Sequence, residues 1–290
     1  MSGSVLPTRT GFGRALFAWH AGHRRDLPVR RSSDPWAILV AEVMSQQTQI
    51  ERIGQPWKLF VTRWPDPAAL AAASTHDLLQ AWAGLGYNRR ALALREAART
   101  MVRDHDGRVP RSVDSLERLP GIGPYTARAV AASAFGMPVA PLDVNVRRVV
   151  GRVIGGQPVP RMFQAAADGL VARRHPRGWL DAVMDLAATV CTPRTPDCAA
   201  CPVRRMCATR GVEIQTSSAR APGARFVSTN RWLRGRLLAT IRETPPGTWV
   251  EAPDQLGEHD RTAVLAALRG LERDGFIEVR DGRARLRPDG

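Results

Sequence analysis

All four cysteines of the chain fall within a stretch of seventeen residues, Cys191, Cys198, Cys201 and Cys207, with six, two and five residues between them. Four thiols crowded into one short loop restrict the fold, because the loop must close around whatever they hold. Zinc accepts four thiolates, usually as two close pairs, but only Cys198 and Cys201 form such a pair. A [4Fe–4S] cluster, also ligated by four cysteines, fits this spacing better, and a disulfide fits it least. The chain has no run of eighteen apolar residues to span a membrane and no secretory start, so a reducing cytoplasm is expected, where clustered cysteines are ligands.

Upstream lies Leu119-Pro120-Gly121-Ile122-Gly123-Pro124-Tyr125-Thr126-Ala127, followed sixteen residues after its end by Asp143. A Gly-x-Gly turn that opens a helix brings backbone N–H groups and the helix's positive end against a phosphate. Without Cβ atoms, Gly121 and Gly123 let that backbone approach closely. The formal net charge of +15 points the same way, since each phosphate neutralised releases condensed counterions. Only one of the 42 basic residues is a lysine, Lys58. A metal clasp, a phosphate clamp and a following carboxylate together read as an enzyme that works on DNA.

Most of the chain reads as helices broken by Pro and Gly. Asp34-Pro35 opens a helical run from Trp36 to about Gln49. Further helices are expected at Thr75 to Gly84, Arg89 to His105, Thr126 to Phe135, Asn145 to Val153 and Met162 to His175. Residues 212–225, rich in Ser, Ala and Gly, have a linker's composition. Beyond them two amphipathic helices, Arg231 to Arg242 and Arg261 to Asp274, precede two short strands flanking Asp281-Gly282, a type I′ hairpin signal. Helices followed by a basic hairpin suggest a winged-helix-like module.

Two carboxylates stand out. Glu42 lies among Ile38, Leu39, Val40 and Val43, where burial would raise its pKa as a general acid requires, although periodicity alone would put it on the solvent face. Asp143 follows an apolar run and is placed to cap the next helix, a role compatible with catalysis. Two carboxylates in unlike environments can divide acid and electrostatic roles.

Residues 11–210 resemble the helix-hairpin-helix iron–sulfur DNA glycosylase superfamily, most closely the adenine DNA glycosylase (MutY) family. The resemblance rests on Arg24-Arg25-Asp26-Leu27-Pro28, Asp34-Pro35-Trp36, Glu42-Val43-Met44 with Gln46-Gln47-Thr48-Gln49, Gly84-Leu85-Gly86-Tyr87, the Leu119 to Ala127 hairpin, Leu142 to Val149 and the four-cysteine loop. It implies a mainly α fold: a six-helix barrel domain at 28–138, a [4Fe–4S] domain formed by 1–27 and 139–211, and the winged-helix-like domain at 226–290. It implies a monomeric, monofunctional glycosylase in the bacterial nucleoid that flips adenine, mispaired with 8-oxoguanine or guanine, out of duplex DNA and cleaves its N-glycosidic bond. By the same resemblance Glu42 protonates the leaving base and Asp143 stabilises or attacks the oxocarbenium-like sugar, with Tyr125 and Asn145 in support. Gln47, Thr48 and Tyr87 wedge the duplex and contact the opposite strand, Gly121 and Gly123 bind backbone phosphate, and the four cysteines hold the cluster. Relatives that nick the strand carry a lysine where this chain has Tyr125, so no efficient lyase activity is expected.

The chain departs from that pattern around the base pocket that Arg25 also lines. Val29 replaces the usual tryptophan, Ser45 the usual leucine, and Asp181 a frequent glutamate or glutamine; the first two losses remove apolar area that could press on an extruded purine. Residues 225–290 are also too short for the Nudix-like domain that reads 8-oxoguanine in many relatives, leaving that task to the Gln47, Thr48 and Tyr87 side, with the small domain as a further candidate. Two alternatives remain: a glycosylase for thymine, uracil or another base opposite guanine, and a non-catalytic iron–sulfur DNA sensor.

Overall fold

A computed structural model describes residues 9–156, 159–210 and 225–288. Contacts gather the chain into two units, Met1–Gln46 with Arg108–Ser217 and Gln47–Gly107 with Ser218–Gly290. This grouping cuts across the three-part division expected from the sequence. Pro35–Ser45 joins the cysteine-bearing region, and the C-terminal elements join the helices of residues 47–107. The linker expected at 212–225 lies outside the described residues except for Arg225.

The first unit contains α1 (Arg9–His20), α2 (Pro35–Ser45), α7 (Val113–Glu117), α8 (Pro124–Phe135), α9 (Val144–Ile154), α10 (Pro160–Leu170) and α11 (Pro176–Thr189). Its core joins Phe12 and Leu16 of α1, Val146, Val149 and Val150 of α9, Phe163 of α10, and Trp179, Val183 and Leu186 of α11. The second unit contains α3 (Gly54–Arg63), α4 (Pro67–Ala71), α5 (Thr75–Ala81), α6 (Arg89–Asp104), α12 (Asn230–Arg242) and α13 (Arg261–Arg273). Its strands are β1 (Val250–Glu251), β2 (Gln255–Leu256), β3 (His259–Asp260), β4 (Ile277–Arg280) and β5 (Arg283–Leu286).

Asp34 starts α2 as expected, accepting from the N–H groups of Trp36 at 3.3 Å and Ala37 at 2.9 Å. The helix nevertheless stops at Ser45, four residues early, because Gln47 adopts φ 56°. No glycine marks that stop, so the sequence carried no warning of it. Helices α1, α3, α4, α7 and α11 fall outside the helices expected from the sequence, and the helix expected at Met162 to His175 ends at Leu170.

In the second unit the hairpin forms as its turn demands: Asp281 and Gly282 take φ 47° and 75°, and β5 pairs with both β4 and β1. The resulting three-stranded sheet beside α12 and α13 is the expected small α+β module, but it does not stand alone. Leu79 of α5 and Leu92 of α6 share its apolar cluster with Leu233, Leu237, Leu268 and Phe276. The Gln80 side-chain amide donates to the Arg242 carbonyl at 2.6 Å, and Asp274 takes Arg234 and, at 3.6 Å, Arg89.

Candidate active site

Glu42 is carried by the third turn of α2, whose other faces are almost wholly buried. Burial, and then the negative charges of Asp181 and Asp143, push its carboxyl up to about 7, with Arg30 and Arg177 pulling the other way. The periodicity argument for a solvated Glu42 therefore fails. Glu42, Asp143 and Asp181 also act on the Tyr125 phenol of the first unit, which burial and then these three charges raise well above its ordinary value. A phenol so held stays neutral and can donate a hydrogen bond.

Asp143 is the N-cap of α9. Its Oδ1 accepts from the backbone N–H groups of Asn145 at 2.9 Å and Val146 at 2.7 Å, and its Oδ2 from the Asn145 side-chain amide at 2.8 Å. Capping and fixed orientation are thus one arrangement, and the carboxylate sits at the positive end of an eleven-residue helix. The Asn145 side-chain Oδ1 in turn accepts from Arg148 at 3.0 Å, and Arg148 donates through Nε to the Cys191 backbone carbonyl at 2.8 Å. One side-chain chain therefore runs from Asp143 to the cysteine loop. Arg152 meets the same loop, donating to the Thr192 carbonyl at 2.7 Å and approaching the Cys191 sulfur at 3.2 Å.

The expected base-pocket residues are gathered around a carboxylate that sequence reading missed. Asp185, at 0% exposure on the apolar face of α11, accepts from His20 at 2.9 Å, Arg25 Nε at 2.6 Å and Arg30 at 2.8 Å and 3.0 Å. Burial alone would raise this group, but the hydrogen bonds from Arg30, Arg25 and His20 outweigh it and hold the carboxyl well below the usual range. Arg30 also pairs with Asp181 at 2.9 Å, while burial raises Asp181 against the pull of Arg30 and Arg177. Arg177 fixes the other side of this segment, donating to the Ser32 carbonyl at 2.6 Å and to that of Arg30. The overlooked signal was a carboxylate at helical spacing among Ala182, Val183 and Leu186, a position that requires cationic partners.

Of the three departures from the family pattern, Val29 is only 8% exposed and so belongs mainly to the core. Ser45 turns its hydroxyl back on its own helix, donating to the Glu42 carbonyl at 2.9 Å. Asp181 keeps a carboxylate in the Glu42 field. The pocket thus trades apolar area for a denser set of charges.

At the hairpin between α7 and α8, Gly121 has φ 76°, a conformation that favours glycine, whereas Gly123 has φ −86° and is the uncapped N-cap of α8. A Cβ on Gly123 would meet nothing within 4 Å, so its role is open space in front of the helix N-terminus rather than backbone freedom. No acidic residue occupies the first turn of α8, which leaves its N–H groups for an external anion. Gln46 ties the end of α2 to this hairpin, its amide donating to Thr126 Oγ1 at 3.1 Å and to the Gly121 carbonyl at 3.4 Å.

Gln47, Thr48 and Tyr87 belong to the second unit. Thr48 Oγ1 donates to the Leu85 carbonyl at 3.3 Å, and Arg90 joins Thr48, Leu85 and Gly86 through hydrogen bonds of 3.0 to 3.1 Å. Tyr87, like Gln47, holds a left-handed backbone, φ 47°. Such a conformation costs a bulky side chain about 1–3 kcal/mol and is kept where the surroundings impose it, commonly at ligand contacts.

The four cysteines are free thiols that line one cavity with Arg152, Val190, Pro196 and Arg204. Burial, reinforced by the other three cysteines and opposed by a backbone hydrogen bond from Val203, pushes the Cys201 thiol up to about 11. Among the described residues no three of His, Cys, Asp or Glu close on a point as one metal ion would need.

Residues 40–172 match the family model described as HhH-GPD superfamily base excision DNA repair protein. The chain is 39% identical over 289 residues to the adenine DNA glycosylase of Mycolicibacterium smegmatis, covering 95% of this chain and 96% of that one. It is 44% identical over 235 residues to the adenine DNA glycosylase of Mycobacterium tuberculosis, covering 78% and 77%. Among solved structures it is similar to a thermostable thymine-DNA glycosylase, with a TM-score of 0.65 and 30% identity over 69% of this chain and 95% of that chain. No helix among the described residues is long and apolar enough to cross a membrane.

Proposed function

Because the chain belongs to the HhH-GPD superfamily of base excision DNA repair proteins and, within it, to the adenine DNA glycosylase family, we propose that it excises adenine mispaired with 8-oxoguanine or guanine by hydrolysis of the N-glycosidic bond. The observation that carries this reading is the pairing of Glu42, raised to about 7, with an Asp143 fixed by three N–H donors. A purine leaves poorly as an anion, so a proton must reach it as the C1′–N bond breaks. Glu42 is poised to give that proton near neutral pH, where its two forms are comparably populated. As the bond lengthens, positive charge builds on the sugar, and the carboxylate of Asp143 meets it from a fixed direction. Water then supplies the hydroxyl at C1′.

Tyr125, kept neutral, offers a hydroxyl donor to the bound substrate. The Asp185 hub holds Arg25 and Arg30 so that Asp181 and Glu42 face defined partners. Gly121, Gly123 and the first turn of α8 receive a phosphate, and Gln47, Thr48 and Tyr87 meet the opposite strand. Lys58, the only lysine, is exposed on α3 in the second unit, and Tyr125 offers no amine, so the enzyme acts without an efficient lyase step.

Cys191, Cys198, Cys201 and Cys207 would hold a [4Fe–4S] cluster. When bound, it supplies structural closure of the loop, against which Arg148 and Arg152 are seated.

Single-turnover base release from duplexes carrying A:8-oxoguanine, A:G, T:G, U:G and an undamaged control tests the reading. Release of adenine opposite 8-oxoguanine and guanine is expected. Release confined to thymine or uracil would overturn it and would trace to the Val29 and Ser45 pocket.

A further inference from the structure

The second unit carries a surface patch that the excision chemistry leaves unexplained. Tyr87 projects from its turn at 39% exposure, and the guanidinium of Arg231, at the start of α12, lies 4.1 Å above its ring. Phe226, 60% exposed, flanks the same guanidinium at 6.0 Å, with Val227 beside it in the chain at 40%. Arg90, also over the Tyr87 ring at 5.5 Å, has one guanidinium nitrogen donating to the carbonyls of Leu85 and Gly86 and the hydroxyl of Thr48. Arg231 makes no hydrogen bond or ion pair with any described residue. Its face is held by an aromatic ring while its in-plane N–H groups stay open.

Two further features mark the patch as built for a ligand. Arg231 occupies the first turn of α12, where no acidic residue balances it and the helix dipole disfavours a cation. Tyr87 keeps its left-handed backbone at the same spot. A local rule broken twice within one contact, with two large apolar side chains left in water, is poor design for stability alone. Exposed aromatic faces and a planar, unpaired guanidinium match a nucleobase, which offers a π face for stacking and acceptor atoms on its edge.

We propose that Arg231, seated on Tyr87 and flanked by Phe226, reads the purine that stands opposite the excised base, donating in-plane N–H groups to acceptors on that purine's major-groove edge. The inference rests on the proposed function, which places Tyr87 on the opposite strand. It makes α12 of the C-terminal module part of the specificity apparatus. Opposite-base recognition then draws on an arginine held by stacking.

The test is equilibrium binding of the full-length protein to duplexes that cannot be cleaved, with 2′-fluoro-adenosine opposite 8-oxoguanine, guanine or a tetrahydrofuran abasic analogue. Wild type is expected to prefer the purine duplexes over the abasic one by about tenfold, and Arg231→Ala to bring the three affinities toward parity. Arg231→Lys, which keeps the charge but loses the planar fork, should fail to restore the preference. Arg231→Gln guards against a folding artefact, since it keeps a planar donor and should retain part of the preference at a wild-type unfolding midpoint. Equal weakening on all three duplexes would make Arg231 a phosphate contact and overturn the proposal, as would an unchanged preference. Because this binding test needs no turnover, a wild type that shows the preference yet releases no adenine would defeat the proposed function and leave the site intact.

Discussion

Glu42 shows how one residue carries a functional cost in stability. Its carboxyl titrates near 4.5 when solvated and near 7 in the folded pocket, so between those values the folded state binds more protons than the unfolded one. Unfolding free energy therefore falls as pH rises through that window. At pH 8 the buried charge costs on the order of 2 kcal/mol, after discounting for partial exposure. Glu42→Gln is expected to unfold at higher denaturant than wild type at pH 8 and to lose that advantage at pH 4; an identical difference at both pH values would refute the buried-carboxylate assignment. Asp185 behaves in the opposite sense. Removing it in Asp185→Ala takes away the carboxylate that Arg25 and Arg30 share and leaves Arg30 with Asp181, and breaking a buried pair in this way costs about 3–5 kcal/mol. Denaturant unfolding of that variant checks it, and a loss under about 1 kcal/mol would mean the hub is not a structural tie.

At the scale of elements, helix α9 links two sites through one face. Asp143 caps it, Asn145 and Arg148 follow one turn apart, and Arg148 ends on the cysteine loop. Arg148→Ala is expected to lower adenine release by about tenfold, comparable to losing an orienting outer-shell partner, and to lower the iron retained on purification. Full activity with full iron content would show that the link is incidental.

Which elements were legible in the sequence follows from how each is specified. The Asp34 cap and the Asp281-Gly282 turn are encoded by side chains at fixed offsets and formed as read. Glu42 was singled out by motif context against periodicity, which alone misplaced it, and Asp143 by its place before a helix, which it caps. The end of α2 was missed because Gln47 takes its left-handed backbone from surroundings, not from its own preference. Asp185 and Arg30 were missed because their pairing joins residues 155 apart in the chain, beyond the reach of any local pattern.

For the whole molecule, the +15 net charge and nearly lysine-free basic surface bear on how DNA is held. Contacts to roughly 6–10 phosphates would weaken affinity by about 10³–10⁵ between 50 and 200 mM salt. A duplex-binding titration across that range is expected to show this steep dependence, and a flat profile would remove phosphate neutralisation from the account. The C-terminal module shares a core with α5 and α6, so truncation before residue 225 should expose Leu79 and Leu92 and destabilise the second unit rather than merely trim it.

The most direct measurement is the single-turnover rate of adenine release from an A:8-oxoguanine duplex as a function of pH, for wild type and Glu42→Gln. If Glu42 delivers the proton, the wild-type rate falls as pH rises through about 7, and the variant is slower by about 10²–10⁴ and lacks that step. A variant that releases adenine at the wild-type rate, or a wild-type rate that climbs through the same range, would contradict the assignment of Glu42 as the acid and with it the mechanism proposed for this pocket.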